Sequence, residues 1–322
     1  MKNRVLEALY EKKGDYVPID DIVSELEIPE TSIEKHIESL INEGYTIESS
    51  HDNQFRLKED LTLILPHKLK KGLTTNYIGK EIHYFRQVDS TNEVAKKLAQ
   101  EGAPEGTVVI AESQSRGRGR RGKTWISPLG GAWMSIVLRP DTLPINAPQL
   151  TFTAGVAAAK TIKDEYSLSV GIKWPNDILI GNKKVCGILT EISTGMNTID
   201  YVVVGIGIDA NIDINSIPPE LRNNATSLKN ELNEDISRMI LVQKFLDNFE
   251  RMYDEFNKGN FKDILNKWRR CSKTIGSKVE VKTGTKVIRG EAVGVNSEGA
   301  LILELEDGSL KKIISGECRH IN

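Results

Sequence analysis

The sequence predicts a multidomain α/β (α+β) protein, and three observations carry that reading. Residues 1–65 give short amphipathic helices followed by an alternating hairpin. Residues 77–272 interleave short β-branched runs with longer helical periodicities, and residues 273–322 are strands separated by Gly-containing turns. At 322 residues, 39% hydrophobic and 27% charged, the chain is long enough for two or three domains with one sizeable core.

In the first block, helices are expected over residues 2–13, stopped by Gly14, over 19–26, and from Pro29 to Gly44, with Thr31, Ser32 and Glu34 in capping range. Residues 45–57 then alternate around a turn at His51 to Asn53. Helix, turn, helix, wing is the order of a winged helix-turn-helix, whose DNA contacts would be Thr31, Ser32, Lys35 and His36 on the third helix and Arg56 on the wing. Charge complicates that assignment. Residues 1–60 carry seven Lys/Arg against fifteen Asp/Glu, where a DNA binder usually shows a basic face, so a protein–protein winged helix stays open. Residues 66–76, PHKLKKGLTTN, read as a basic linker.

The central block, 77–272, reads as a mixed sheet with helices. Strands are expected at 81–85, 107–111, 132–138, 169–174, 178–180, 184–193 and 200–208, and helices at 90–101 and 148–164. Ser90 or Thr91 would cap the first of these helices. A long helix follows over 237–258, where Val242, Phe245, Leu246, Phe249, Tyr253 and Phe256 recur at helical spacing and form a core stripe. Residues 261–271 add another helix. The runs SKVEV, KVIRGEAVGVN, ALILELE and LKKII then suffice for a small β-barrel over 273–322.

Between the strands at 107–111 and 132–138 lies the most informative loop. Residues 112–125, ESQSRGRGRRGKTW, pack Arg116, Arg118, Arg120, Arg121 and Lys123 around Gly117, Gly119 and Gly122. Such a segment gains little by ordering until an anion neutralises it. A nucleic-acid-binding Arg/Gly segment has the same composition. Here, however, apolar strands tether both ends, so backbone N–H groups and guanidinium forks can converge on one polyanion. The loop lacks the GxxxxGK[ST] spacing and is not a P-loop.

The apolar runs 61–65 and 202–208 fall far short of the roughly 20 residues that span a bilayer, and charges stand where a signal peptide is apolar. A cytoplasmic protein is expected. Cys186, Cys271 and Cys318 are odd in number and scattered, and the five histidines show no ligand spacing, which excludes a disulfide framework and a zinc site. Any metal would enter with a phosphate substrate, held by carboxylates and waters.

Four segments, DSTNE (89–93), SQSRGRGRRGKTW (113–125), KWPND (173–177) and KKVCGILTE (183–191), together with GIGID (205–209), resemble the bacterial biotin protein ligases of the bifunctional kind, which also repress biotin genes. The resemblance covers nearly the whole chain. It implies a biotin/lipoate ligase-like catalytic domain, an SH3-like C-terminal barrel and two half-reactions. Biotin and ATP give biotinyl-5'-AMP and pyrophosphate, and the biotinyl group then passes to a lysine in the biotin carrier domain of acetyl-CoA or pyruvate carboxylase. Mg²⁺ would accompany ATP, and biotinyl-5'-AMP would promote a homodimer that binds operator DNA.

Residue by residue, the resemblance implies that Ser90, Thr91 and Gln114 bond the ureido head of biotin with Asn92 in support, although Ser90 and Thr91 also read as a simple helix cap. Gly117 and Arg118 would bind the biotin carboxylate and then the adenylate phosphate, with Arg120 and Arg121 closing over the phosphates. Trp125 would pack on the ligand or simply in the core, and Gly187 and Gly207 would let backbone approach the ligand. Lys184 would bridge carboxylate and α-phosphate, beside a solvated Lys183. Asn176 and Asp177, which also suit a turn, would lie at the phosphate and Mg²⁺ site, Asp177 near the incoming lysine. Arg118, Asp177 and Lys184 are thus the catalytic candidates. Asp209 departs from the commoner GIGIN, leaving either an adenylate contact or an Mg²⁺ contact open there. SGECRHIN is irregular against the usual ending, so no role is carried to its arginine, and the adenine-covering loop falls within 212–228 without a named residue. A lipoate or octanoate ligase, a ligand-sensing repressor without activity and an RNA-binding protein are the competing readings.

Overall fold

The computed structural model describes every residue except 13, 43–44, 51, 59–62, 197 and 322. It divides into two compact units, Met1–Leu63 with Tyr84–Arg86, and Ile64–His83 with Gln87–Asn322. In the first, α1 (Lys2–Glu11), β1 (Val17–Pro18), α2 (Ile19–Leu26), α3 (Glu30–Asn42), β2 (Thr46–Ser49) and β3 (Gln54–Lys58) follow in order. The expected helix ends at Lys13 and Gly44 and the turn residue His51 lie outside the described residues. β1, too short to announce itself by alternation, pairs with β3 and completes a three-stranded sheet, β1-β3-β2.

Ile33, Ile37 and Leu40 face inward from α3, and the opposite face leaves Thr31 and Lys35 exposed and Ser32 and His36 half-buried. Those four positions stay available to a partner. The Arg56 guanidinium is paired with Glu48 and lies 4.5 Å over the Tyr16 ring, so a partner would compete with Glu48 for its charge.

The second unit opens with α4 (Pro66–Gly72), where a linker was expected. Leu69 is buried, the carbonyls of Lys68 and Leu69 accept from Gln243 Nε2 at 3.2 and 3.1 Å, and Thr74 N–H donates to Asp247 at 3.0 Å. The basic composition masked an apolar residue that docks the segment. Next come β4 (Ile82–Val88), α5 (Thr91–Gln100), β5 (Val108–Gln114), β6 (Ala132–Leu138), α6 (Gln149–Tyr166), β7 (Val170–Lys173), β8 (Asp177–Ile180), β9 (Lys183–Thr194) and β10 (Ile199–Ile208). The strands form one sheet in the order β4-β5-β6-β10-β9-β8-β7.

The ladders β5–β6, β6–β10, β10–β9, β9–β8 and β8–β7 are antiparallel, whereas β4 runs parallel to β5, the N–H groups of Val108, Ser115 and Arg116 donating to the carbonyls of Glu81, Val88 and Asp89, so the sheet is mixed as expected. Short turns join β7 to β8 and β8 to β9, and a short turn cannot connect parallel neighbours, whereas the crossover through α5 lets β4 and β5 run parallel. After α7 (Pro219–Arg222) and α8 (Leu228–Leu232), α9 (Arg238–Asn257) and α10 (Phe261–Arg270) pack with α6. The α9 stripe is core as expected: Phe245, Phe249, Tyr253 and Phe256 stack along it at centroid spacings of 5.8 to 6.1 Å. Ser237 caps that helix by accepting from Ile240 N–H.

At the foot of α9 the Arg238 guanidinium meets Glu112 of β5 at 2.7 Å, with the two side chains only 6% and 1% exposed. Arg238→Ala removes the ion-pair partner of a buried carboxylate and should cost about 3 to 5 kcal/mol. Urea unfolding checks this, and a midpoint unchanged from wild type would refute it.

The C-terminal strands β11 (Lys278–Thr283), β12 (Lys286–Val295), β13 (Leu301–Glu304), β14 (Leu310–Ile313) and β15 (Glu317–His320) make an antiparallel sheet in the order β14-β13-β12-β11-β15. β14 and β15 are its edges, and β15 packs beside β11. A register shift between Ala292 and Gly294 bends the long β12.

Candidate active site

β5 ends at Gln114, and the chain then folds back as a tight loop before β6. Gln114 N–H donates to Ser127 O at 2.9 Å, Trp125 N–H to Gly117 O at 2.8 Å and Gly119 N–H to Lys123 O at 2.7 Å. The Arg loop was expected to wait for an anion. Instead, groups of the chain itself answer its cations: Arg116 reaches Asp89 at 3.7 Å, Arg118 pairs closely with Glu93, and Lys123 meets Glu317 at 2.6 Å. Arg120 donates to Asn176 Oδ1 at 3.1 Å and Arg121 to Lys282 O at 2.8 Å. A ligand anion would have to exchange partners with these cations.

The loop covers a cavity of about 1100 Å³. Ser90, Thr91, Asn92, Gln114, Arg118, Arg120, Arg121, Trp125, Asn176, Asp177, Lys184, Gly187, Gly207 and Asp209 all line it, so nearly every expected site residue converges. Gly117 is the exception. It lies beneath the loop, where a Cβ would stand 2.3 Å from Trp125 O, so it serves the turn and not the ligand wall.

One end of the cavity is polar and neutral. Ser90 takes the N-cap position of α5 but makes no side-chain capping bond, and Thr91 N–H donates to Gln114 Oε1 at 2.8 Å. Gln114 Nε2 donates to Ser127 Oγ at 2.8 Å. Ser135, which sequence reasoning missed, stands behind them, its hydroxyl 2.7 Å from Thr91 Oγ1 and 2.6 Å from Asn92 Oδ1. A lone serine inside the apolar run AWMSIVL was the available signal.

Trp125 forms the middle wall, edge-on to Trp133 with ring centroids 6.4 Å apart. Its indole rests on glycine backbone: a Cβ at Gly207 would come within 2.4 Å of Nε1, and one at Gly187 within 3.0 Å of the ring. Both glycines are thus required by close approach. Ile217, Leu221, Asn224 and Ala225 line the same cavity, which identifies the part of segment 212–228 that reaches the site. Lys184 anchors it, donating N–H to Asn224 O at 2.8 Å and accepting from Thr226 N–H at 2.9 Å.

The other end is charged. Lys184 Nζ lies 2.6 Å from Asp177 and 4.7 Å over the Trp125 ring, while Lys183 beside it on β9 is exposed. Asn176 donates Nδ2–H to Ile188 O at 2.9 Å, which fixes the turn before β8 and aims Asn176 Oδ1 at Arg120. Burial lowers the Arg120 guanidinium below its ordinary value, with Asp177 opposing and Arg121 reinforcing the shift. Burial likewise pushes Asp209 well above the usual carboxylate range against the pull of Lys184. That bias toward the neutral acid leaves Asp209 able to donate as well as accept, as the commoner asparagine would. β15 supplies a further wall that includes Cys318, Arg319 and His320, so the irregular C-terminal sequence does reach the cavity. Burial pushes the Cys318 thiol up to about 11, which makes it a packed wall group and not a nucleophile at neutral pH.

Among the described residues no three His, Cys, Asp or Glu side chains come together as a metal cluster, and no helix is long and apolar enough to cross a membrane.

The sheet thus carries a neutral polar pocket, an aromatic wall and a clamp of cations in one cavity. The profile of the Biotin/lipoate A/B protein ligase family matches residues 84–209, and that of the Biotin protein ligase C terminal domain matches 274–320. The chain is 36% identical over 318 residues, 98% of each chain, to the bifunctional ligase/repressor BirA of Bacillus subtilis, and 26% identical over 305 residues to that of Escherichia coli, covering 94% of this chain and 92% of the relative. Among solved structures, the biotin protein ligase from Aquifex aeolicus in complex with biotin and ATP is 30% identical, with a TM-score of 0.66 over 75% of this chain and 99% of that one. The chain belongs to the biotin protein ligase family and matches its bifunctional ligase/repressor members over almost its full length. Its enzyme class is that of ligases that join biotin to a carrier protein.

Proposed function

We propose that this chain condenses biotin with ATP to biotinyl-5'-AMP and pyrophosphate, then transfers the biotinyl group to the ε-amine of a lysine in the carrier domain of a carboxylase. The observation that carries the reading is the single cavity in which the Thr91–Gln114 pocket, the Trp125 wall and the Arg118, Arg120 and Lys184 cations meet. A carboxylate needs no base to act as nucleophile, but the triphosphate repels it. The site must neutralise charge and hold the two reactants in line.

The Thr91–Gln114 end takes the ureido head and Trp125 covers the apolar body, which leaves the biotin carboxylate at the charged end. Lys184 stabilises the oxygens shared between carboxylate and α-phosphate as the P–O bond to pyrophosphate breaks. In the second step the carrier amine attacks the mixed-anhydride carbonyl, AMP departs and the amine loses a proton, a proton that Asp177, in the same cavity, is proposed to accept. The residues present also fit Mg²⁺ delivered with ATP: Asp177 supplies one carboxylate, and phosphates and waters would complete the shell of a hard cation. Bound there, the ion would neutralise phosphate charge. Biotin-dependent exchange of labelled pyrophosphate into ATP tests the reading, and exchange indifferent to biotin refutes it.

Arg120→Gly should leave adenylation working while the activated intermediate escapes and labels bystander lysines. Arg120 reaches across the cavity to Asn176, and a charge-assisted bond worth about 1.5 to 3 kcal/mol corresponds to a roughly 10- to 150-fold loss of retention. Mass spectrometry of a bystander protein mixture decides the point. Modification confined to the carrier would rule out a gating role.

The N-terminal unit is proposed to be a winged helix-turn-helix that represses biotin genes. Its α3 presents Thr31, Ser32, Lys35 and His36 opposite the buried Ile33, Ile37 and Leu40.

A further inference from the structure

The tip of the Arg loop rests on one spot of the C-terminal sheet, a contact that the mechanism above does not use. Lys123 Nζ lies 2.6 Å from Glu317 Oε1, and Arg121 Nη1 donates to Lys282 O at 2.8 Å. Lys282 and Glu317 are direct partners in the β11–β15 ladder, so the two loop cations meet acceptors side by side on adjacent strands. Arg121 takes left-handed backbone there, φ 57° and ψ 36°, which a residue other than glycine keeps only where its surroundings hold it. Lys123 draws the Glu317 carboxyl below its ordinary value against burial, with Arg319 adding to the pull.

The tip is also tied to itself. Gly119 N–H donates to Lys123 O at 2.7 Å and Lys123 N–H to Arg120 O at 3.2 Å, so Arg120, Arg121 and Lys123 share one turn. All three line the cavity, as Glu317 does from the sheet side. Lifting Arg120 away from Asn176 therefore pulls on Arg121 and Lys123 as well, and the loop opens fully only when their contacts with β11 and β15 break.

We propose that Glu317 is a positioning residue: with the Lys282 carbonyl beside it, it latches the Arg loop over the cavity and slows escape of the activated intermediate. This rests on the reading that the loop closes over biotinyl-5'-AMP at Arg120. The ion pair is partly exposed, 58% at Lys123 and 29% at Glu317, and a pair of that kind shifts an equilibrium by roughly two- to fivefold. A latch also has a signature that a direct field on the ligand lacks. Glu317 and Lys123 carry opposite charges, so acting only on an anionic ligand they would have opposite effects, and loss of the glutamate charge would tighten binding. As partners in one latch they lose the same contact whichever of them is neutralised.

The test loads the full chain with labelled biotin and ATP, then follows release of labelled biotinyl-5'-AMP during a chase with excess unlabelled biotin, paired with calorimetric biotin binding. Glu317→Gln and Lys123→Gln should each raise the escape rate roughly two- to fivefold. The double variant should go no further than the larger single one, because the two changes remove one shared contact. The biotin Kd should stay within about twofold of wild type, since the ureido head sits at the other end of the cavity. Escape that quickens in Lys123→Gln but slows in Glu317→Gln would show a field effect and overturn the latch. So would additive losses in the double variant, or a Glu317→Gln protein that holds the intermediate as wild type does while Arg120→Gly leaks it. Retention by Arg120→Gly itself, or a wild-type chain that forms no adenylate, would instead overturn the reading beneath the proposal and the proposal with it.

Discussion

Replacing Lys184 by alanine is expected to lower the rate of adenylate formation by roughly 100- to 1,000-fold, about 3 to 4 kcal/mol, while biotin binding stays comparatively intact. The ammonium sits 2.6 Å from Asp177, in contact with the Trp125 face, at the boundary between the apolar wall and the charged end of the cavity. There it is most useful when negative charge moves from the carboxylate toward the α-phosphate, which is a transition-state contribution and not a ground-state one. Its removal also leaves Asp177 facing the triphosphate unscreened, so repulsion adds to the lost attraction. Biotin affinity by calorimetry and pyrophosphate release by a coupled assay separate the two effects. Near-normal release by a folded Lys184→Ala protein would sink the assigned role.

Much of this site was legible before any coordinates because its chemistry depends on residue types that composition makes conspicuous. Clustered arginines among glycines between two apolar strands point to an anion clamp, and DSTNE, KWPND and GIGID place its partners. The remainder was hidden for physical reasons. Glu93, Glu191 and Ser135 act through contacts between residues far apart in sequence, with Asn92 and Glu191 separated by 99 positions, and no local periodicity encodes that. The loop's cations can be counted in the sequence, but not that Asp89, Glu93 and Glu317 stand opposite them. The linker reading failed for a related reason: lysines in PHKLKKG suggested solvent, while Leu69 buries itself and a side-chain amide from α9 binds the backbone. Helix positions fared better, since the 3.6-residue stripe of α9 and the inward spacing of Ile33, Ile37 and Leu40 are local signals.

The largest expected effect on function outside catalysis is a switch in assembly. Biotinyl-5'-AMP, more than biotin, should promote a homodimer whose paired winged helices bind a two-fold symmetric operator. Residues 1–60 carry seven Lys/Arg against fifteen Asp/Glu, and Arg56 is already held by Glu48, so one copy offers little phosphate attraction. Dimerisation supplies a second half-site at high effective concentration and can add about 10² to 10⁴ in avidity without a new contact. The coupling would run through the loop. In the structure Arg118 pairs with Glu93, and an adenylate phosphate competes for that guanidinium, whereas biotin alone brings only its carboxylate. An effector shifts an equilibrium only by its differential affinity for the two states, so the ligand that displaces more of the internal carboxylates should shift assembly further. Sedimentation and operator titrations with no ligand, with biotin, and with biotin plus ATP should show association and DNA affinity rising together in that order. Tight operator binding by a monomer, or dimerisation indifferent to ligand, would refute the mechanism.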